Sequence, residues 1–285
     1  MPGRRIREYG RFARESILGR DELKANPAPW LPQQTGGTPN GRHAGGMRPA
    51  FYARAPGRAS DYVTLLHPPY TAWHLSYVAI GAALAPEFTW TRLVAVLAGF
   101  ALAVGIGAHA LDELHGRPLG TAIPRRNLIT MAAVSITAAT LVGIAGAATT
   151  TWWLLAFVAA GAFIVVAYNL ELFGGRFHSD RWFAISWGSF PLVTGYFVTA
   201  GSLRPVALVA AAAAYWLSLA QRHLSTRVRF LRRRVTGVAG DIHRCDGTVE
   251  DVTLDGLIAP DEAALRALSA ATVSLALALI AMRTL

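Results

Sequence analysis

Residues 89–119 read TWTRLVAVLAGFALAVGIGAHALDELHGRPL, a long apolar run that ends in a short group of ionisable side chains. Between Arg92 and Asp112 the run holds no Asp, Glu, Lys or Arg. A helix needs about 20 apolar residues to cross the hydrocarbon core of a membrane, because it rises only 1.5 Å per residue. The stretch therefore predicts a transmembrane helix whose final turns carry polar groups.

Similar apolar blocks recur along the chain from Tyr70 onward. The predicted fold class is all-α: a polytopic transmembrane helical bundle preceded by a flexible basic N-terminal segment. About seven spans are predicted, at residues 70–86, 89–111, 127–148, 152–170, 182–201, 203–221 and 264–282.

The composition of the chain agrees with a membrane protein. Its 285 residues are 53% hydrophobic and 15% charged, although the formal net charge is +10. A disordered chain has fewer apolar residues, and a soluble domain has about a quarter charged residues. The lone cysteine, Cys245, excludes a disulfide framework, and no apolar segment near the N-terminus indicates a cleaved secretory signal.

Polarity divides the chain into four segments. Residues 1–66 are basic and rich in Gly and Pro, and their first turns fit either a short amphipathic helix on an anionic membrane surface or a solvated tail. Residues 67–221 hold the first six spans. Residues 222–262 form a polar, arginine-rich extramembrane loop, and residues 263–285 form the last span, which Pro260 and Asp261 begin.

The arginines predict the orientation of the bundle. With the N-terminus in the cytoplasm, nearly all arginines fall on the cytoplasmic side, and the opposite side holds only Arg92, Arg204 and Arg283. This asymmetry accounts for the net charge without nucleic acid as a partner. All but one of the 27 Lys and Arg residues are arginine, a bias typical of a GC-rich genome, so the predicted location is the plasma membrane of a GC-rich bacterium.

The ionisable group that ends the second span is the first candidate site. His109 lies three residues before Asp112 and four before Glu113, so these side chains project from neighbouring faces of one helix end, and Arg117 follows. Carboxylates beside an arginine suit Mg²⁺ that holds a phosphorylated ligand. A local salt bridge to Arg117 that caps the span explains the same spacing.

Three further polar groups lie at the same predicted membrane surface. The fourth span ends with Tyr168, Asn169 and Glu171, where Glu171 can supply another carboxylate to a metal. The loop after it holds Arg176, a candidate phosphate ligand, although interfacial anchoring also explains this loop. Together the groups predict a polar mouth above an apolar bundle, as expected for a lipid-like substrate with a charged head.

The first and sixth spans contribute the remaining candidates for substrate binding. His74 lies two turns inside the first span, where a histidine either lines a site or makes a packing hydrogen bond. Arg222 and His223 follow the sixth span. The other arginines of residues 222–244 are interpreted as topology determinants.

These motifs, in this order, resemble the UbiA superfamily of intramembrane prenyltransferases. The stretch AHALDELHGRPL is similar to the NDxxDxxxD-like motif and the RPL that follow the family's second span, with Asp112 at the central aspartate and His109 in place of the first. The resemblance covers residues 65–230 and includes AYNLELFGGRFHSDRW. The chain departs from the family in lacking its second acidic motif, where QRHLSTRVRFLRRR stands instead, and in having seven predicted spans where the family usually has nine.

The resemblance implies an enzyme that transfers an isoprenyl group from a diphosphate donor to a lipid-soluble acceptor within the membrane. It implies that Asp112 and Glu113, with Glu171, hold Mg²⁺, that Arg117 and Arg222 contact diphosphate, and that Tyr168 faces the cavity. Two alternatives stay open. One is a non-catalytic membrane protein that binds or moves a lipid or small molecule, or serves as a subunit of an assembly. The other is a membrane terpene cyclase.

Overall fold

A computed structural model describes residues 48–283, and this part of the chain is almost wholly helical. A two-stranded antiparallel hairpin, β1 (Asp241–His243) and β2 (Val249–Asp251), separates the last two helices. The predicted alternatives for the first turns of the chain, an amphipathic helix or a solvated tail, lie outside the described residues. The helices are α1 (Arg58–Leu65), α2 (Pro68–Leu84), α3 (Trp90–Leu114), α4 (Arg125–Thr149), α5 (Leu154–Asn169), α6 (180–200), α7 (Pro205–Arg234) and α8 (Leu254–Ala281).

Each of the seven predicted spans coincides with one of the helices α2 to α8, and the all-α fold class is confirmed. Within residues 48–283, three helices are long and apolar enough to cross a membrane by length and composition: α3, α4 and α8. Helix α5 is apolar but shorter. A four-residue segment, Leu172–Gly175, connects α5 to α6 and contains left-handed backbone at Phe173 and Gly174.

Helix α7 continues to Arg234, so the prediction that a loop begins at residue 222 is wrong. The sequence from 222 to 234 contains no Gly or Pro, and arginine and leucine are good helix formers. Val228 and Leu231 on this extension are buried with Ile258 and Leu265 of α8. Tertiary packing thus stabilises a helix that the polar composition obscured.

Helix α8 begins at Leu254, six residues before the predicted start at Pro260. Thr253 is its N-cap, because the Thr253 hydroxyl oxygen accepts a hydrogen bond from the Gly256 N–H at 3.0 Å. Pro260 therefore lies inside the helix. The extramembrane segment that the sequence placed at residues 222–262 is reduced to residues 235–253, which hold the hairpin.

Helices α2 and α6 pack with their backbones in contact. A Cβ atom added to Gly81 would lie 2.0 Å from the Leu192 carbonyl oxygen, and one added to Gly195 would lie 2.2 Å from the Val78 carbonyl oxygen. Small residues at such crossings let two helices approach more closely than side chains would allow. The two glycines therefore set the position of α2 against α6.

The substitution Gly81→Ala tests this crossing. Because the added methyl group meets backbone that cannot rotate away, we expect a loss of about 3 kcal/mol of stability, measured by thermal unfolding in detergent. The matched control is Gly237→Ala, since a Cβ there meets nothing within 4 Å. Equal unfolding temperatures for the two variants would contradict the tight crossing.

Candidate functional site

A polar cavity of about 290 Å³ lies among the cytoplasm-assigned ends of the helices. It brings together side chains from all four polar groups of the sequence, although these groups are far apart in the chain. Helix α2 supplies the buried His74, and the last turns of α3 supply polar side chains. The end of α5, the residues just after it and helix α7 supply the others. The predicted site residues that line this cavity are His74, His109, Asp112, Tyr168, Asn169, Glu171 and Arg222.

Three arginines of α7 line the polar cavity: Arg222, Arg229 and Arg233. Their spacing of seven and four residues places them on one face of the helix. The lining carboxylates are Asp112 and Glu171, and Asp180 pairs with Arg222 from outside the lining, so Arg229 and Arg233 are the lining arginines without a carboxylate partner among residues 48–283. Such a cavity favours an anionic ligand, and guanidinium groups bind phosphate in bidentate fashion.

The three guanidinium groups are held in different ways. Arg222 Nε donates to Asp180 Oδ1 at 2.9 Å, and its guanidinium lies 5.3 Å from the centre of the Phe183 ring. Arg229 Nη2 donates to the Thr226 hydroxyl at 3.0 Å. Because this contact uses one donor of five and no carboxylate, Arg229 keeps most of its hydrogen-bonding capacity for a ligand.

Arg233 joins the cavity to the first residues that the structure describes. Its Nε donates to the Pro49 carbonyl oxygen at 3.2 Å, and Pro49 and the half-buried Tyr52 also line the cavity. Burial raises the pKa of the Tyr52 phenol, and the nearby Tyr70 raises it further. Residues 49–52 therefore form one wall of the site and contribute a neutral hydroxyl group.

Three cavity-lining residues carry a buried polar atom that has no hydrogen-bond partner among residues 48–283: His67 Nε2, Tyr168 Oη and Gln221 Oε1. Buried polar atoms are nearly always paired in folded proteins. All three residues belong to the wall of the polar cavity, so the unpaired polar atoms lie within that wall. The His67 ring stacks on His109 at 4.2 Å between ring centres, and burial, with His109 and Arg233 nearby, lowers the pKa of His67 well below its ordinary value.

A second, apolar cavity of about 120 Å³ adjoins the polar one. Helices α3 to α6 line it, largely with Gly, Ala, Val and Phe. Val104 and Trp187 line both cavities, so the two cavities are neighbours on either side of these two side chains. The pair offers one polar compartment and one apolar compartment to a single ligand.

Glu113 and Arg117 stabilise a loop and do not line the polar cavity. Glu113 is fully buried; its Oε1 accepts from the N–H and hydroxyl of Thr121, at 2.9 and 2.8 Å, and its Oε2 accepts from the Leu119 N–H at 3.0 Å. Arg117 Nη1 donates to the carbonyl oxygens of Thr121 and Ile123. These contacts form a local cap after α3. They do not place Arg117 for the diphosphate contact that was expected of it. Glu113 and Arg117 do not form a direct salt bridge with each other.

Two predicted ligands lie on the surface. Arg176 is exposed on the segment after α5, and His223 is exposed with its Nε2 3.8 Å from Asp180 Oδ2. Neither residue is part of the cavity lining. His223 directly follows the lining residue Arg222, but adjacent residues on a helix point about 100° apart.

The residues present do not fit the Mg²⁺ site that the resemblance implies. Both oxygens of Glu113 are already used by the loop, and Glu171 lies 3.9 Å from His115 Nε2 and from His178 Nδ1. Within the described part of the chain, no group of three or more His, Cys, Asp or Glu side chains is placed to hold a metal ion. Magnesium stays a prediction, and the arginines are the groups placed to contact phosphate.

The chain matches no protein-family model, no curated protein and no solved structure. The likeness to the UbiA superfamily thus stays a resemblance of motifs.

Several lining residues were missed at the level of sequence. Arg229 and Arg233 were interpreted as topology determinants, although their seven- and four-residue spacing from Arg222 indicates one helix face. Gln221 has the same helical relation to Ser225 and Arg229. No signal in the sequence points to Tyr52 or to the free nitrogen of His67, because both depend on contacts between distant segments.

The substitutions Glu113→Gln and Asp112→Asn separate the loop from the cavity. Because Glu113 accepts three hydrogen bonds and an amide accepts on one atom only, Glu113→Gln leaves at least one buried donor unpaired. We expect it to lower the free energy of unfolding by about 2 kcal/mol or more. The control is Asp112→Asn. This change also replaces a carboxylate by an amide of the same size, but the Asp112 side chain accepts none of these loop hydrogen bonds. Denaturant unfolding in detergent measures both, and equal losses would assign Glu113 no special structural role.

Proposed function

We propose that the chain is an integral membrane protein with seven spans, α2 to α8, in the plasma membrane of a bacterium, with its N-terminus in the cytoplasm. Support comes from how little of the apolar helices is buried inside the protein. Only 17% of the apolar window of α4 and 22% of that of α8 are buried inside the protein. Helices this apolar and this exposed require apolar surroundings, which a lipid bilayer provides.

Tryptophans at the ends of the helices support the same proposal. Trp90 begins α3, and Trp152 and Trp153 precede α5, with exposed fractions of 52%, 69% and 77%. These positions lie at the end of the bundle opposite the polar cavity. Exposed tryptophans are typical of the membrane–water interface, where the ring contacts both lipid and headgroups.

The two neighbouring cavities carry the functional proposal. An amphiphile with an anionic head fits them, because the head meets Arg222, Arg229 and Arg233 while its chain enters the apolar compartment through the junction at Val104 and Trp187. A prenyl diphosphate has this chemistry. We therefore propose that the protein is a UbiA-like prenyltransferase that takes an isoprenyl diphosphate and a lipid-soluble acceptor from the membrane.

In the proposed reaction, the bond between C1 of the donor and the diphosphate oxygen breaks, and both electrons leave with diphosphate. The acceptor then attacks the allylic cation and loses a proton. The α7 arginines stabilise the negative charge that grows on the leaving group, and they are in place before the reaction begins. The surrounding apolar bundle strengthens this stabilisation, since charges interact more strongly in a medium of low dielectric constant.

A non-catalytic lipid-binding protein is the second candidate. The observation that favours it is the engagement of Glu113 in three loop hydrogen bonds, which removes one carboxylate of the catalytic motif that the resemblance implies. Such a protein would bind the same amphiphile in the same cavities without breaking a bond. Release of diphosphate distinguishes the two candidates, and release without any acceptor product would indicate the terpene cyclase.

Arg229→Gln tests the anionic head site. We expect purified protein in nanodiscs to bind geranylgeranyl thiolodiphosphate, a donor analogue that resists cleavage, in isothermal titration calorimetry. Loss of one guanidinium contact weakens this binding by roughly 10- to 100-fold. The matched control is Arg234→Gln, because Arg234 is exposed and outside the cavity lining.

Two results would contradict the head site: no binding by the native protein, or equal weakening in Arg229→Gln and Arg234→Gln. Turnover is measured separately with geranylgeranyl diphosphate, as release of inorganic diphosphate. Binding without release in the native protein rejects the enzyme and supports the lipid-binding alternative.

The native cysteine tests the orientation. Cys245 is exposed in the hairpin between α7 and α8, on the side assigned to the cytoplasm. We expect a membrane-impermeant maleimide to label it in inverted vesicles and not in intact spheroplasts. The counterpart is Ser202→Cys in a Cys245→Ser background. Ser202 lies in the exposed turn between α6 and α7, so this cysteine should be labelled in intact spheroplasts and not in inverted vesicles. Labelling of both positions from one side would overturn the topology.

A further inference from the structure

Two of the long helices contain a π-helical segment beside the cavities. The segments are Ala101–Ala108 in α3 and Ile185–Ser189 in α6. They contain Val104 and Trp187, the two residues at which the polar and apolar cavities meet. π-Helical turns are rare in proteins and occur often at functional sites.

Each π segment offers a backbone carbonyl to a histidine of the polar cavity. In α3 the His109 N–H bonds to the Ile106 carbonyl, so the Gly105 carbonyl does not receive that amide and instead lies 3.1 Å from His109 Nδ1. In α6 the residue four positions after Trp187 is Pro191, which has no N–H to donate. The Trp187 carbonyl oxygen lies 2.7 Å from His74 Nδ1.

These contacts determine which nitrogen of each ring carries the proton. A carbonyl oxygen can only accept a hydrogen bond, so Nδ1 of His74 and of His109 must be the donor. In a neutral imidazole the other nitrogen, Nε2, then holds a lone pair. Both residues line the polar cavity, and both therefore bring a basic nitrogen to it.

The two histidines also flank the junction between the cavities. The His74 ring centre is 6.3 Å from that of Trp187 and 6.0 Å from that of Phe183. His109 follows Val104 by little more than one helical turn. A ligand whose head lies among the arginines and whose chain lies in the apolar cavity has its first carbon at this junction.

We propose that His74 and His109 form the proton-accepting site of the reaction, at the junction of the two cavities. The inference rests on the proposed prenyl transfer. When the acceptor's electron pair forms the bond to C1, the acceptor's hydrogen leaves as a proton, and Nε2 of one of these imidazoles takes it. The π-helical carbonyls position the bases by holding Nδ1, and the stacked His67 fixes the second face of His109.

The variants His74→Asn and His109→Asn test the site. The asparagine Nδ2 lies near the position of histidine Nδ1, so it can still donate to the same carbonyl, while the basic nitrogen is lost. Native protein and variants in membrane vesicles receive tritiated geranylgeranyl diphosphate and lipid extract of the source cells. Release of diphosphate and the share of label in prenyl alcohol, the product of capture by water, are both measured.

We expect the alcohol share, normalised to the diphosphate released by the same variant, to rise by about tenfold or more in at least one variant, since a general base contributes at least this much. The control His243→Asn, in the exposed hairpin, keeps the native product ratio. An unchanged ratio in both single variants and in the double variant overturns the proposal. Absence of diphosphate release from the native protein instead rejects the proposed enzyme.

A second measurement needs no substrate. Nitrogen-15 NMR of native protein with labelled histidine reports the tautomer of each ring, with His74→Asn and His109→Asn used for assignment. The proposal requires protonated Nδ1 and unprotonated Nε2 in both residues. Protonated Nε2 in the neutral ring of either residue would overturn the two-histidine site, even if prenyl transfer is observed.

Discussion

The close crossing of α2 and α6 is the contact on which the site depends. Gly81 and Gly195 let the two backbones touch, and no other residue type allows this approach. His74 lies two turns before Gly81, and Trp187 lies eight residues before Gly195. The separation of the helices at the crossing therefore determines whether the His74 ring reaches the Trp187 carbonyl, 2.7 Å away. The hydrogen bond in the cavity thus depends on packing in the apolar part of the bundle.

The balance of charge explains why the cavity suits an anion. Three guanidinium groups and two carboxylates line a space that is largely surrounded by apolar helices. Asp180 pairs with Arg222, whereas Arg229 and Arg233 have no carboxylate partner in the described part of the chain, and a buried charge without a partner is unfavourable, so an anionic ligand would stabilise these two groups. Glu113 does not serve this purpose, because its charge is already stabilised by donors of the loop that follows α3. The adjacent carboxylates of Asp112 and Glu113 therefore have separate tasks.

Hydropathy predicted the positions of helices α2 to α8 because each apolar block is long and bounded by polar or turn-forming residues. Hydropathy failed where the average composition is polar but the apolar residues have helical spacing. Residues 222–234 are rich in arginine, yet this spacing buries Val228 and Leu231 on one side of the helix. The grouping of His109, Asp112, Tyr168 and Arg222 was predictable from their common place at span ends. The roles of Glu113 and Arg117 were predictable only in part. A local cap was one of the two interpretations of this group, but the donors and acceptors that the two side chains contact lie in a loop of irregular backbone, which the sequence pattern does not place.

The π-helical segment of α3 changes how that helix can be described. A π turn holds more residues than an α turn, so the segment shifts the angular register of everything that follows it. The first half of α3, up to Phe100, packs against α4 and α2, while His109 and Asp112 follow the π-helical segment and line the polar cavity. The two halves of α3 therefore share one axis but differ in angular register. The π-helical segment therefore sets the direction in which the ionisable end of α3 meets the cavity.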